Sequence, residues 1–123
     1  MKTILCFGNP YLKEDSLAVE LAKELKLEGY EFRVCYSAEE ILEHRDVLIM
    51  DVVKGLREVK IIEKLEELNW ENSVSLHDMD LAFYMKLMNA LGSMGKVRII
   101  GLPFGRDKEY VKEQLEKLLE KDL

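Results

Sequence analysis

Basic charge is what this chain is short of: 18 lysines and arginines stand against 24 aspartates and glutamates, for a formal net charge of −6. Nucleic acid demands a basic footprint, so DNA and RNA are excluded as expected partners. No apolar run approaches the roughly 20 residues of a membrane span, so insertion into a bilayer is not expected. The chain passes from Met1-Lys2 straight into a short strand with no signal-peptide pattern. Cysteine is scarce too. Cys6 and Cys35, the only two, fall in expected buried strands without metal spacing, and read as reduced core residues of a cytoplasmic protein. No serine or cysteine lies in a nucleophile-elbow pattern, which leaves covalent hydrolase chemistry without a candidate. Gly8 is alone in its loop, so the glycine spacings that cradle phosphates are absent as well.

What is present describes one folded domain over residues 1–123, with 48% apolar and 34% charged residues and no repeat or linker. Strand and helix signals alternate. A strand over Lys2 to Phe7 stops at Gly8-Asn9-Pro10, and helical spacing of Leu17, Ala18, Leu21, Ala22 and Leu25 predicts a helix from Asp15 to Leu27, closed by Gly29. Glu31 to Tyr36 is the second strand, and Ser37 with Glu40 makes a capping box opening a short helix through Ile41 and Leu42. Asp46 to Val52 is the third, its unbroken Val47-Leu48-Ile49-Met50 run suiting a strand covered on both faces. Glu58 to Ile62 reads as an antiparallel edge strand, Glu63 to Leu68 as a short helical piece and Ser73 to Leu76 as extended. A helix capped by Asp78 follows, carrying Leu81, Tyr84, Met85, Met88 and Leu91 on one face and ending near Gly92. Lys96 to Gly101 is the last strand, Pro103 and Gly105 a loop, and Asp107 caps a final helix with Val111, Leu115, Leu118 and Leu119 facing inwards. The expected fold is α/β: a three-layer sandwich with a mostly parallel central sheet of about five strands and helices on both faces.

In such folds the connections at the carboxyl ends of the strands line the binding crevice. Three residues fall there: Asp15 beyond strand one, Asp51 at the end of strand three, and His77 in the loop entering the Met-rich helix. Two carboxylates and an imidazole on one rim suit nickel, zinc and related ions, with positions left open for water or substrate. Asp51 is the most informative, because an acid closing a buried strand is costly unless it is used; its structural alternative is to cap the turn at Val52 to Gly55. Asp15 alone would read as a helix start, and His77 alone as a polar loop residue. His44, inside Glu43-His44-Arg45-Asp46, reads as solvated surface. Met79, Met85, Met88 and Met94 with Phe83 and Tyr84 form either an adaptable partner surface or, more simply, core.

With Gly8-Asn9-Pro10, the Glu14-Asp15 pair, Asp51 in LIMDVV and His77 in SLHDMDL, the chain resembles the hydrogenase maturation endopeptidases. The likeness covers nearly the whole chain in the order of its elements. It implies that Asp15, Asp51 and His77 bind a metal, and that the substrate partner is the large-subunit precursor of a nickel–iron hydrogenase, trimmed of its C-terminal tail. It further implies that the nickel is supplied by that precursor, with no tightly bound organic cofactor, and that it either polarises the scissile carbonyl or a bound water, or anchors the substrate while Asp51 or Asp15 acts as general base. The chain departs from the family where glycines often follow the acidic pair: Ser16 and Ala18 stand there. Around Leu102-Pro103 it is also shorter than many members. Two other readings use the same residues. A phosphoreceiver domain would be phosphorylated at Asp51, although it needs acids directly after strand one and a lysine after the last strand, where this chain has Phe7-Gly8-Asn9 and Gly101-Leu102-Pro103. A non-catalytic nickel-sensing scaffold would share all three ligands.

Overall fold

Three parallel ladders and one antiparallel ladder join five strands into an open sheet in the computed structural model, which describes residues 2–8, 16–35, 47–53, 55–63 and 97–121. The strands are β1 (Lys2–Cys6), β2 (Tyr30–Val34), β3 (Val47–Val53), β4 (Lys60–Ile62) and β5 (Val97–Pro103), in the order β2-β1-β3-β5-β4. β1 runs parallel to β2 and β3, β3 parallel to β5, and β4 closes the edge antiparallel to β5. Helices α1 (Leu17–Glu24) and α2 (Lys108–Glu120) complete the described elements. The order differs from the 2-1-3-4-5 of flavodoxin-like sheets in the exchange of its last two strands.

Strand alternation explains the core. Ile4 and Cys6 of β1, Leu48, Met50 and Val52 of β3, and Ile100 and Leu102 of β5 share one face. They form a single cluster with Leu17, Ala18, Leu21 and Leu25 around α1 and with Val111, Leu115 and Leu119 of α2. The intervening residues Leu5, Ile49 and Ile99 are buried as well. Both faces of the sheet are therefore covered, which is why these strands read as continuous apolar runs, and the expected layered α/β architecture is what forms.

The ends of the elements differ from expectation in instructive ways. α1 stops at Glu24, with Leu25 already extended (ψ 133), three residues before the periodicity suggested. Leu25 still packs in the cluster, so the apolar stripe outlasts the helix that carries it. Gly29 does not close α1. At φ +88 it turns the chain into β2, and its carbonyl accepts the Lys2 N–H at 2.8 Å while Tyr30 N–H reaches Leu27 O at 3.2 Å. β2 ends at Val34, leaving Cys35 just beyond it with its N–H on Cys6 O at 2.9 Å. β3 runs on to Val53 and β5 to Pro103, each extending the other through the pairs Asp51–Gly101, Val52–Leu102 and Val53–Pro103. Proline has no N–H to continue that ladder.

Asp107 caps α2 as expected, its carboxylate accepting the Tyr110 N–H at 3.3 Å. Val111, Leu115 and Leu119 are buried, but Leu118 is only half-buried at the margin of the cluster. Tyr30 of β2 donates its hydroxyl to Leu119 O at 3.0 Å, satisfying one of the carbonyls that the last turn of a helix leaves open. Tyr30→Phe is expected to lower stability by about 1 kcal/mol, seen as a lower urea midpoint at unchanged slope. The Ser37–Glu40 capping box with Ile41 and Leu42, residues 64–68, the Ser73–Leu76 piece and the helix from Asp78 to Gly92 lie outside the described residues.

Candidate functional site

β1 runs out before β3 does. Its last pair is Cys6–Met50, and the Phe7 N–H donates to Met50 O at 3.0 Å as the chain leaves the sheet. Asp51 is the next residue on β3. Towards β5 it lies inside the ladder, opposite Gly101, and towards β1 it lies past the end. Asp51 is thus two residues short of the end of β3 at Val53, where the sequence pattern ended the strand at Val52, yet it stands at the carboxyl rim on the side that matters. It is 7% exposed.

The Met50 carbonyl faces β1, so alternation sends the Val52 N–H the same way, into the space that β1 has vacated. Asp51 Oδ1 accepts that N–H at 2.9 Å. The buried acid therefore completes the ladder where the neighbouring strand fails, and its carboxylate leans towards the gap between β1 and β3. From this gap the chain proceeds to β2 on one side and to β4 and β5 on the other. Such a reversal is the topological switch point at which open α/β sheets form their crevice.

Among the described residues the buried polar or charged ones are Ser16 and Asp51. Ser16 is the N-cap of α1, and its hydroxyl donates to Glu20 Oε2 at 3.2 Å instead of capping the helix. It follows the connection that leaves β1, and therefore begins α1 at the same sheet edge as Asp51. In the sequence Ser16 stands out only as a replacement for glycine; its position just behind an acid at a helix start is the available signal. Asp15 and His77, the other two expected ligands, lie outside the described residues, as does His44. The described residues alone contain no group of three His, Cys, Asp or Glu able to hold a metal ion.

Gly101 is a second feature of the rim that the sequence pattern does not mark. Paired with Asp51, it shares that residue's face of the sheet, about 4.8 Å away across the ladder. A Cβ placed on it would lie 2.6 Å from Leu56 Cδ1, 3.3 Å from Val53 Cγ2 and 3.4 Å from Ile62 Cδ1. The missing side chain is the slot in which Leu56 sits, beside Asp51. Gly101→Ala is expected to cost about 1 kcal/mol in urea unfolding, because the tip of Leu56 can swing aside while Val53 and Ile62 yield less easily.

Cys6, one residue before Phe7 on β1, is a buried thiol outside any disulfide, and Cys35 is another. Burial above all, then the neighbouring Cys35 and Asp51, push the Cys6 thiol well above its ordinary range. It stays protonated at neutral pH and offers no thiolate nucleophile. The sites of both cysteines agree with their expected role as core.

No family model and no curated protein matches this sequence. The fold is nevertheless the one found in hydrogenase maturation endopeptidases. The chain is similar to the hydrogenase maturating endopeptidase HybD from E. coli, with a TM-score of 0.65 at 14% identity over 98% of this chain and 91% of that one. It is similar also to an endopeptidase from Escherichia coli solved in solution, with a TM-score of 0.64 at 18% identity over 98% and 91% of the two chains. The hydrogenase 3 maturation protease follows with a TM-score of 0.59 at 18% identity over 98% and 87%. At such identities the likeness is one of fold.

Proposed function

We propose that this chain is an endopeptidase of the hydrogenase maturation type: it removes the C-terminal extension from a nickel-loaded large-subunit precursor and recognises the nickel through Asp15, Asp51 and His77. The observation that carries the reading is the buried carboxylate of Asp51 at the switch point, turned towards the crevice by the Val52 N–H. A carboxylate costs free energy to bury, and a buried acid at a crevice rim is a position that a cation arriving with the substrate suits. The donor set, oxygen from two acids and nitrogen from one imidazole, matches what nickel accepts. Nickel held by the precursor supplies positive charge close to the peptide bond to be cut. This chain's contribution is to fix Asp51 so that no reorientation is needed when the substrate arrives.

Support also comes from the fold shared with the solved maturation endopeptidases across 98% of the chain. The acidic balance and the lack, among the described residues, of any helix long and apolar enough to cross a membrane suit a protein substrate met in the cytoplasm. The test is incubation with nickel-loaded and nickel-free precursor, followed by mass measurement of the large subunit. Loss of a short C-terminal peptide from the loaded form only is expected. Equal cleavage of both forms removes nickel recognition, and stable binding of the loaded form without cleavage identifies a scaffold in place of a protease.

A further inference from the structure

The segment that leaves β3 and returns as β4 borders the crevice on the β5 side, and two of the contacts that hold it bear on the site. At one, Leu56 fills the slot over Gly101, next to Asp51. At the other, the Val59 N–H donates to Gln114 Oε1 of α2 at 3.1 Å. Gln114 is itself fixed, its Nε2 donating to the Tyr110 hydroxyl at 2.9 Å, and the Arg106 guanidinium lies 4.6 Å from the centre of the Tyr110 ring. Lys60, immediately after Val59, pairs with Gly101. The Gln114 bond therefore falls on the residue immediately before the row that contains Asp51. Gln114 is the only glutamine in the protein, and both ends of its amide are engaged in this chain of bonds.

We infer that Gln114 is a positioning residue for the site: by holding the Val59 amide it keeps residues 55–59 across the carboxyl rim, with Leu56 as a fixed apolar wall beside Asp51. Hydrogen bonding alone does not require an amide here, since an isosteric acid accepts the Val59 N–H through one oxygen and the Tyr110 hydroxyl through the other. An apolar side chain of similar size does neither. The wall contacts substrate, whereas Asp51 does the chemistry, so loss of the wall acts on binding.

The activity arm of the test rests on the protease reading, and the exchange arm does not. In Gln114→Leu, amide hydrogen exchange at Leu56 to Val59 is expected to quicken, and KM for nickel-loaded precursor to rise about tenfold with kcat little changed. Gln114→Glu is expected to restore both. Leu56→Ala removes the wall directly and is expected to reproduce the rise in KM with the Val59 amide still protected. Wild-type KM in either Gln114→Leu or Leu56→Ala overturns the inference, as does failure of Gln114→Glu to rescue. If the wild-type protein cleaves no precursor, the protease reading falls by itself; unchanged exchange in Gln114→Leu then overturns the positioning role, and faster exchange reversed by Gln114→Glu upholds it.

Discussion

Asp51→Asn is expected to slow processing of nickel-loaded precursor by about 10²–10⁴-fold, the range spanned by the loss of a positioned acid–base group. The urea midpoint should stay near that of the wild type. Asparagine keeps an oxygen where Asp51 Oδ1 accepts the Val52 N–H, so the ladder beyond β1 remains closed. What it loses is the negative charge and the second acceptor, the two properties that a cation ligand or a general base needs. Asp51→Ala separates the structural part from the chemical part. It leaves the Val52 N–H without that acceptor and should destabilise by about 1–3 kcal/mol on top of the same loss of activity. An Asp51→Asn variant that trims the loaded precursor at the normal rate would refute the assignment.

The features legible in the sequence are those whose causes are local. The four-residue apolar run of β3, the Asp107 cap and the Val111-Leu115-Leu119 spacing each carry their own explanation, and each element formed where it was expected. Errors cluster where a neighbour decides. The sequence pattern ends β3 at Val52, but β5 continues alongside and pairs as far as Pro103, so the strand runs on to Val53. Gly29 looked like a helix stop because a left-handed glycine leaves the same mark whether it closes a helix or turns into a strand. Gly101 looked like the end of a strand, and its real task, to leave room for Leu56, depends on a residue 45 positions earlier (101 − 56). Gln114 carried no signal at all, because its partner Val59 lies across the fold. The candidate site divides in the same way: the sheet order accounts for Asp51 at the switch point, whereas Asp15 and His77 belong to segments outside the described residues.

Leu115→Ala is expected to have the largest effect on stability, about 2–5 kcal/mol, out of the roughly 5–15 kcal/mol that hold a domain of this kind together. Leu115 is fully buried in the cluster where α2 meets the sheet. Its truncation leaves a cavity between a helix and strands that are themselves tied into the ladder, so the site has little freedom to collapse. Leu118, three residues on and only half-buried, provides the contrast: sequence periodicity placed both residues inwards, and on that view the two alanine variants would cost about the same. The structure predicts a clear gap instead, with Leu118→Ala near 1 kcal/mol because part of its surface already meets water. Parallel urea titrations decide between them. Equal midpoints would mean that α2 is rotated about its axis relative to the arrangement described, which would also carry Gln114 away from the Val59 amide and remove the support it gives to the rim beside Asp51.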